Sequence, residues 1–118
     1  MKYKQRDIVL VPFPYSDLSS YKRRPVLIIS NDSYNQTKED VIVCILTSNT
    51  FRDEYSVPVN NDSLEYGLLP EPSVKKAAKL FTIHQAKIIK KFSILNTQTF
   101  RSINSILNDL FEYNKIDE

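Results

Sequence analysis

The sequence predicts a mainly β protein, a small barrel closed or capped by one C-terminal helix. Short β-branched, apolar segments separated by prolines and polar turns fill most of the 118 residues. From Phe100 onward the apolar residues recur every three or four positions, which is typical of an amphipathic helix. The length predicts a single domain over residues 1–118.

The strand pattern begins at Ile8–Val11, which runs into Pro12. Proline cannot donate to a ladder, so we expect this strand to end there or to become an edge. Polar residues from Tyr15 to Lys22 predict a loop. The next strand starts at Pro25 and ends near Ser30. Its successor, Val41–Leu46, is apolar at every position, which favours a central strand covered on both faces.

The remaining elements follow in chain order. We expect a polar connection over 31–40, a half-buried strand over 55–59, a turn at 60–62 and an irregular loop with one helical turn over 63–72. Separate strands are expected at 74–78 and 79–84, followed by a turn or strand at 87–92. The helix is predicted from Thr97 to Tyr113, with Asn96 or Thr97 as its N-cap. Its apolar stripe serves core packing and, in part, a dimer face.

Composition excludes several classes of protein. No apolar run approaches the ~20 residues of a membrane helix, and no signal-peptide pattern is present. The single cysteine, Cys44, favours a core position in a cytoplasmic protein and excludes a cysteine-based zinc cluster. With one histidine as well, we expect no metal and no cofactor. Gly67 is the only glycine, so no glycine-rich phosphate loop exists.

The charge pattern leaves room for an anionic partner. The net charge is only +2, yet residues 72–101 contain seven lysines and arginines and no acidic residue. Lys22, Arg23 and Arg24 form a second basic cluster beside Tyr15, an aromatic that could stack on bases. The simpler interpretation is that these lysines keep strand edges soluble.

Two side chains meet if the strands that begin at Pro25 and Val41 are antiparallel neighbours. Arg24 precedes the first strand and Thr47 follows the second, so both would lie on one rim of the barrel. Arginine binds phosphate in a bidentate manner, and a threonine hydroxyl can donate to a phosphate oxygen. Taken singly, each residue is more often a structural strand end. The same holds for His84, the only histidine.

The order and spacing of five segments, spanning about residues 5–112, resemble the PemK/MazF toxin family of type II toxin–antitoxin systems. The segments are 6–18 (RDIVLVPFPYSDL), 22–31 (KRRPVLIISN), 43–48 (VCILTS), 68–75 (LLPEPSVK) and 79–83 (KLFTI), with the C-terminal helix after them. The resemblance implies an SH3-like β-barrel of the plasmid-maintenance toxin type and a homodimer. It also implies a metal-independent endoribonuclease that cuts single-stranded mRNA at short sequences.

The resemblance assigns Arg24 and Thr47 as the catalytic pair. The implied chemistry is attack of the RNA 2′-OH on the adjacent phosphorus, which leaves a 2′,3′-cyclic phosphate and a 5′-OH end. Arg24 would stabilise charge on the phosphorane and protonate the leaving oxygen, and Thr47 would donate to a non-bridging oxygen. His84 is an additional candidate for proton transfer. The resemblance also implies RNA-binding residues, with a cognate antitoxin filling the same groove: Tyr15, Lys22, Arg23, Ser73, Lys75 and Lys76.

The sequence departs from the family pattern at Arg6, where a glycine is common, and at Phe92–Ser93, which replace another frequent glycine. These departures concern turn geometry. Two alternatives to an endoribonuclease stay open. One is a non-enzymatic toxin of the same fold that inhibits a protein such as DNA gyrase. The other is a noncatalytic RNA- or DNA-binding module that uses the basic stretch.

Overall fold

One antiparallel sheet of six strands organises the part of the chain that the structure describes. The computed structural model describes residues 3–13, 22–47, 54–69 and 73–114, and residues 13, 22, 47 and 73–78 by their backbone alone. The sheet order is β4-β5-β3-β2-β1-β6. The strands are β1 Asp7–Phe13, β2 Lys22–Ile28, β3 Asp40–Thr47, β4 Ser56–Val59, β5 Ser73–His84 and β6 Lys90–Ile94. The helices are α1 Asp32–Thr37 and α2 Thr97–Leu110, and short 3-10 turns span Asn61–Ser63 and Gln85–Lys87.

The central strand is β3, as the continuous apolar run predicts. It lies between β2 and β5 and is antiparallel to both. Alternate side chains of a strand point to opposite faces, and here both faces are buried. Cys44 and Leu46 pack into a helix-side cluster that includes Phe100 and Ile103 of α2. The other face of the sheet packs into an opposite cluster, made of Val9, Val11, Val26, Ile28, Val41, Val43, Ile83 and Ile88.

Within the described residues the sheet is open, and one short bridge links the segments that follow its two edge strands. Among the described residues, β4 and β6 form the two edges and do not pair with each other. A single bridge joins Leu64 to Leu95, supported by hydrogen bonds from Glu65 N to Ile94 O (2.8 Å) and from Asn96 N to Ser63 O (2.7 Å). The mainly β class with a C-terminal helix is confirmed, whereas the predicted closed barrel is not seen in the part of the chain that the structure describes.

Strand β1 continues through Pro12 to Phe13, beyond the end that the prolines suggested. It pairs with β6 only as far as Leu10, so its C-terminal part pairs with β2 alone among the described residues. Proline is tolerated on such an edge because the missing N–H is not needed there. Strand β2 likewise starts at Lys22, and Pro25 lies inside it.

The polar connection over 31–40 contains a helix that the sequence analysis missed. The Asn31 side chain accepts from Tyr34 N and caps α1. An asparagine followed by Asp32 is an N-cap signal, but the helix has only 6 residues and no apolar period to predict it. The two strands predicted over 74–84 are also wrong in number. They form the single strand β5, interrupted by a bulge.

The C-terminal helix agrees with its apolar period. Asn96 is the N-cap, and its side chain accepts from Thr99 N at 2.8 Å. The helix ends at Leu110, three residues before the predicted Tyr113. Phe100 and Ile103 are buried against the sheet, whereas Phe111 and Tyr113 are exposed. The stripe therefore loses its cover toward the C-terminus, which explains why the helix ends early.

Candidate active site on the upper rim

A row of residues across five strands forms the end of the sheet that we call the upper rim. Val11 of β1 stands opposite Arg24 of β2, and Val74 of β5 stands between Thr47 of β3 and Pro58 of β4. The pairing of β2 with β3 completes the row: Val26 pairs with Ile45, so counting two residues along each strand brings Arg24 level with Thr47. The antiparallel neighbours predicted from the sequence therefore bring the two candidate residues together.

Arg24 reaches the upper rim from inside a strand. Its neighbours along β2 on the same face, Val26 and Ile28, belong to the opposite cluster, as does Val11 across from it. The aliphatic stem of Arg24 therefore stands on apolar side chains. Its Nε is shielded from solvent and has no hydrogen-bond partner among the described residues. Buried polar atoms almost always have partners, so this orphan donor makes Arg24 a candidate for binding an anion.

Thr47 is the last residue of β3, where the predicted strand end and the observed one agree within a residue. Its backbone pairs with Val74 of β5 and lies level with Arg24. The position follows from the run of apolar residues that ends at Leu46, because Thr47 is the polar residue directly after that run. The structure therefore supports the position on which the proposed role of Thr47 depends.

The other predicted RNA-binding residues approach the same end of the sheet. Arg23 is exposed and stands opposite Pro12, next to Arg24. The backbone of Lys22 pairs with Phe13 at the start of β2. Tyr15 lies outside the described residues. Lys22 and Arg23 both precede the buried part of β2, which explains why their charges lie at the rim.

Ser73, Lys75 and Lys76 lie on β5 at the upper rim, where β5 runs between β3 and β4. The backbone of Lys75 pairs with Leu46 on one side and with Val57 on the other. Ser73 pairs with Val59, and Lys76 pairs with Ser56. The predicted groove residues are therefore brought to the same end of the sheet as Arg24 and Thr47.

His84 is at the other end of the sheet. It pairs with Asp40, seven residues down β3 from Thr47, which corresponds to about 23 Å along the strand. Its Nδ1 accepts from Ala86 N at 3.0 Å and caps the 3-10 turn, and its Nε2 lies 3.6 Å from Glu39 Oε2. The structure does not bring His84 to the candidate site, and its contacts indicate a structural role.

A bulge in β5 beside the candidate site has no signal in the sequence. The pairs Cys44–Leu80 and Leu46–Lys75 flank it, so β5 advances five residues where β3 advances two. Bulges bend a strand and redirect its side chains, and they are frequent beside active sites. The sequence over 74–84 alternates well enough to predict strands, but the register between strands cannot be read from one segment.

Electrostatics leave the upper rim positive within the described part of the chain. The three ion pairs described there join Arg6 to Glu65, His84 to Glu39 and Lys91 to Asp7, and none lies at the rim. In the same part of the chain, no group of three or more histidine, cysteine, aspartate or glutamate residues could hold a metal ion. The chemistry that this rim offers is therefore cationic and hydrogen-bonding.

None of the helices in the described part of the chain has the length and apolar character to cross a membrane.

The chain is similar in fold to solved structures of endoribonucleases and toxins. The chain is similar to an endoribonuclease in complex with its cognate antitoxin from a mycobacterial species, with a TM-score of 0.76, 18% identity, and 97% of this chain and 99% of that chain covered. It is also similar to the Mycobacterium tuberculosis toxin MazF-mt6, with a TM-score of 0.74, 20% identity, and coverage of 93% and 100%. A third similar structure is MazE-MazF from Deinococcus radiodurans, with a TM-score of 0.76, 15% identity, and coverage of 95% and 98%.

At these identities the structures show the fold alone, and the family follows from the sequence. No curated protein sequence matches the chain. A family model does match it, over residues 4–111, and describes a PemK-like, MazF-like toxin of a type II toxin–antitoxin system. Because that model spans nearly the whole chain, the protein belongs to the PemK-like, MazF-like toxin family.

Proposed function

We propose that the protein is the toxin of a type II toxin–antitoxin system and acts as a metal-independent endoribonuclease on single-stranded mRNA. The observation that carries this proposal is the orphan Nε of Arg24, shielded at the upper rim and level with Thr47. Membership of the MazF-like family supports the same activity. In this proposal residues 1–118 act as one toxin domain in the cytoplasm, where mRNA is found.

The proposed reaction needs only groups that the chain and its substrate supply. The RNA 2′-oxygen attacks the neighbouring phosphorus and loses its proton, while the bond from phosphorus to the 5′-oxygen breaks and that oxygen gains a proton. The products are a 2′,3′-cyclic phosphate and a 5′-OH end. Negative charge grows on the non-bridging oxygens, and fixed donors aimed at those oxygens stabilise the transition state.

Arg24 supplies the main positive charge at this point. Its guanidinium is anchored by an aliphatic stem on the opposite cluster, and a phosphate oxygen would satisfy the Nε that has no partner among the described residues. We assign to Arg24 the stabilisation of the phosphorane and the protonation of the leaving oxygen. Arginine stays charged at neutral pH, so it is better suited to donate a proton than to accept one.

Thr47 and the basic residues around the rim complete the proposed site. We assign to Thr47 a hydrogen bond to a non-bridging oxygen, because it ends β3 level with Arg24. The RNA-binding role extends to the residues that the resemblance named: Tyr15, Lys22, Arg23, Ser73, Lys75 and Lys76. The structure supports no role for His84 in this chemistry, since it caps a turn about 23 Å along β3 from Thr47.

The partners follow from the same family. We propose that a cognate antitoxin binds the protein, as it does in the similar mycobacterial and Deinococcus complexes. An antitoxin that blocks an RNA site should cover the upper rim and neutralise it with acidic side chains. We further propose that the toxin is a homodimer, the state typical of the family.

The test is cleavage of a long single-stranded RNA by the purified protein in EDTA. Arg24→Ala should lower the single-turnover cleavage rate at saturating RNA by about 100- to 1000-fold, the usual effect of removing one donor from a charge-stabilising site. Arg101→Ala is the matched control, because it removes the same charge from an exposed position of α2. It should cleave at the wild-type rate. The fragments should carry 2′,3′-cyclic phosphate ends.

Two outcomes would contradict the proposal. Cleavage by Arg24→Ala within about threefold of wild type would exclude Arg24 as a catalytic residue. Intact RNA with the wild-type protein, across many sequences, would exclude the endoribonuclease. Toxicity in cells that survives Arg24→Ala would then favour a protein target such as DNA gyrase, and salt-sensitive RNA binding without cleavage would favour a binding module.

A further inference from the structure

We infer that Lys79 is a further RNA-binding residue of this site and contacts a phosphate next to the scissile one. The inference rests on the proposed function and adds a residue to it. Its first support is the bulge in β5, whose three extra residues lie between Lys75 and Leu80, beside the end of β3. Lys79 is the residue at which β5 leaves its regular register with β3.

The alternation of side chains puts Lys79 and Arg24 on one face of the sheet. Along β5, Phe81 and Ile83 pack with the opposite cluster, and Leu80 packs with the helix-side cluster. The next residue, Lys79, therefore belongs to the face of the opposite cluster. Arg24 belongs to the same face through its position two residues before Val26.

The two residues are close enough to hold neighbouring phosphates of one strand. If the register of the last regular pair, Cys44–Leu80, is continued by one residue, Lys79 comes level with Ile45, which pairs with Val26 on β2. Two strand spacings across the sheet and two residues along β2 then separate Lys79 from Arg24, about 12 Å between Cα atoms. Both side chains are long, so a single strand of RNA lying across β3 can meet the guanidinium and the ammonium together.

The ammonium of Lys79 is available for such a contact. Lys79 is exposed, and none of the ion pairs in the described part of the chain includes it. Other lysines of the same basic stretch have partners: Lys91 lies 3.2 Å from Asp7, and Lys90 lies over the ring of Phe92. A lysine that has no ion pair among the described residues and lies on the face of a cationic site is well placed to bind phosphate.

The test compares Lys79→Gln with Lys87→Gln, which removes the same charge from an exposed turn at the other end of β5. Binding is measured as a function of salt, on an RNA that carries a 2′-deoxy nucleotide at the mapped cleavage position and therefore cannot be cut. Lys79→Gln should weaken binding about tenfold, and it should reduce the slope of log affinity against log salt by about 0.7, the value for one phosphate contact to a single strand. Lys87→Gln should change neither quantity, and Lys79→Arg should bind within about threefold of wild type.

Equal affinities and equal salt slopes for Lys79→Gln and Lys87→Gln would overturn the inference. This outcome is distinct from failure of the proposed function, which is judged by whether the wild-type protein cuts RNA. If it does not cut, the same comparison is made on the unmodified RNA, and the salt slope still decides the role of Lys79. Melting temperatures of the three variants within about 2 °C of wild type would show that the exposed side chain serves no structural purpose.

Discussion

Arg6 shows at the scale of one residue how the chain compensates for a departure from its family. Its φ is 78°, in the left-handed region that favours glycine. The side chain offsets this strain, because Nη1 donates to Leu95 O at 2.8 Å and to Glu65 Oε1 at 3.1 Å. The backbone is held as well, since Arg6 N donates to Ile28 O and Arg6 O accepts from Leu95 N, both at 2.9 Å. Arg6 therefore joins the start of β1 to Leu95, directly after β6.

Two substitutions of Arg6 distinguish the cost of its backbone strain from the contribution of its side-chain hydrogen bonds. Arg6→Ala loses both side-chain hydrogen bonds and keeps the left-handed backbone, so the free energy of unfolding should fall by about 1–2 kcal/mol. Arg6→Gly loses the same bonds but relieves the strain, so it should be about 1 kcal/mol more stable than the alanine variant. Urea unfolding of the three proteins measures both differences. An alanine variant as stable as the glycine variant would show that the backbone at this position is not strained.

At the scale of an element, helix α2 shows that burial decides how much a side chain contributes to stability. Ile103 is fully buried in the helix-side cluster, with Leu95 and Phe100 around it. Phe111, at the C-terminal end of the same stripe, caps α2 and is 69% exposed. Both residues belong to one apolar period in the sequence, yet only the first meets the sheet. The period thus predicts the face of the helix but not how far the sheet covers it.

The expected consequence is a large difference between two truncations on one helix. Ile103→Ala should lower the free energy of unfolding by about 2–4 kcal/mol, since it removes buried methylenes and leaves a cavity. Phe111→Ala removes a larger side chain but should cost less than about 0.5 kcal/mol in the isolated protomer. Chemical denaturation at low protein concentration, where protomers separate, makes the comparison. Similar losses in both variants would mean that the end of α2 packs against something within the protomer.

The sequence predicted those elements whose residue pattern is local. The apolar run Val41–Leu46 predicted the central strand, and the capped period after Asn96 predicted α2. Arg24 and Thr47 were placed together by assuming one antiparallel pair, which the register confirms. The bulge in β5 and the bridge between Leu64 and Leu95 could not be predicted, because both depend on the register of strands that are distant in sequence.

At the scale of the whole molecule, the two ends of the sheet differ in how well their polar groups are paired. The upper rim carries cationic residues and the orphan donor of Arg24. The lower end carries a satisfied polar network centred on Gln85, which is 7% exposed. Its Oε1 accepts from Tyr3 N at 3.0 Å, and its Nε2 donates to Asn35 O and Lys38 O at 2.9 and 3.0 Å. One side chain thus joins the N-terminal segment, α1 and the end of β5.

This division predicts that stability and activity can be changed independently. Gln85→Ala should lower the free energy of unfolding by about 2–4 kcal/mol, because it leaves buried backbone groups without their partner. It should keep the single-turnover cleavage rate of the folded protein within about twofold of wild type, since the altered network lies at the far end of β3 from the site. The exposed Gln98 of α2 provides the matched control, and Gln98→Ala should change neither quantity.

Arg24→Met should have the opposite effect, with loss of cleavage and no loss of stability. Methionine keeps the apolar stem on the opposite cluster and removes the guanidinium with its unpaired Nε, so the free energy of unfolding should be unchanged or higher. Cleavage should be lost, because the group that stabilises the phosphorane is gone. Denaturation and cleavage assays on the same preparations test both expectations. A loss of 2 kcal/mol or more in Arg24→Met would make Arg24 a structural residue, and loss of cleavage in folded Gln85→Ala would show that the two ends of the sheet are coupled.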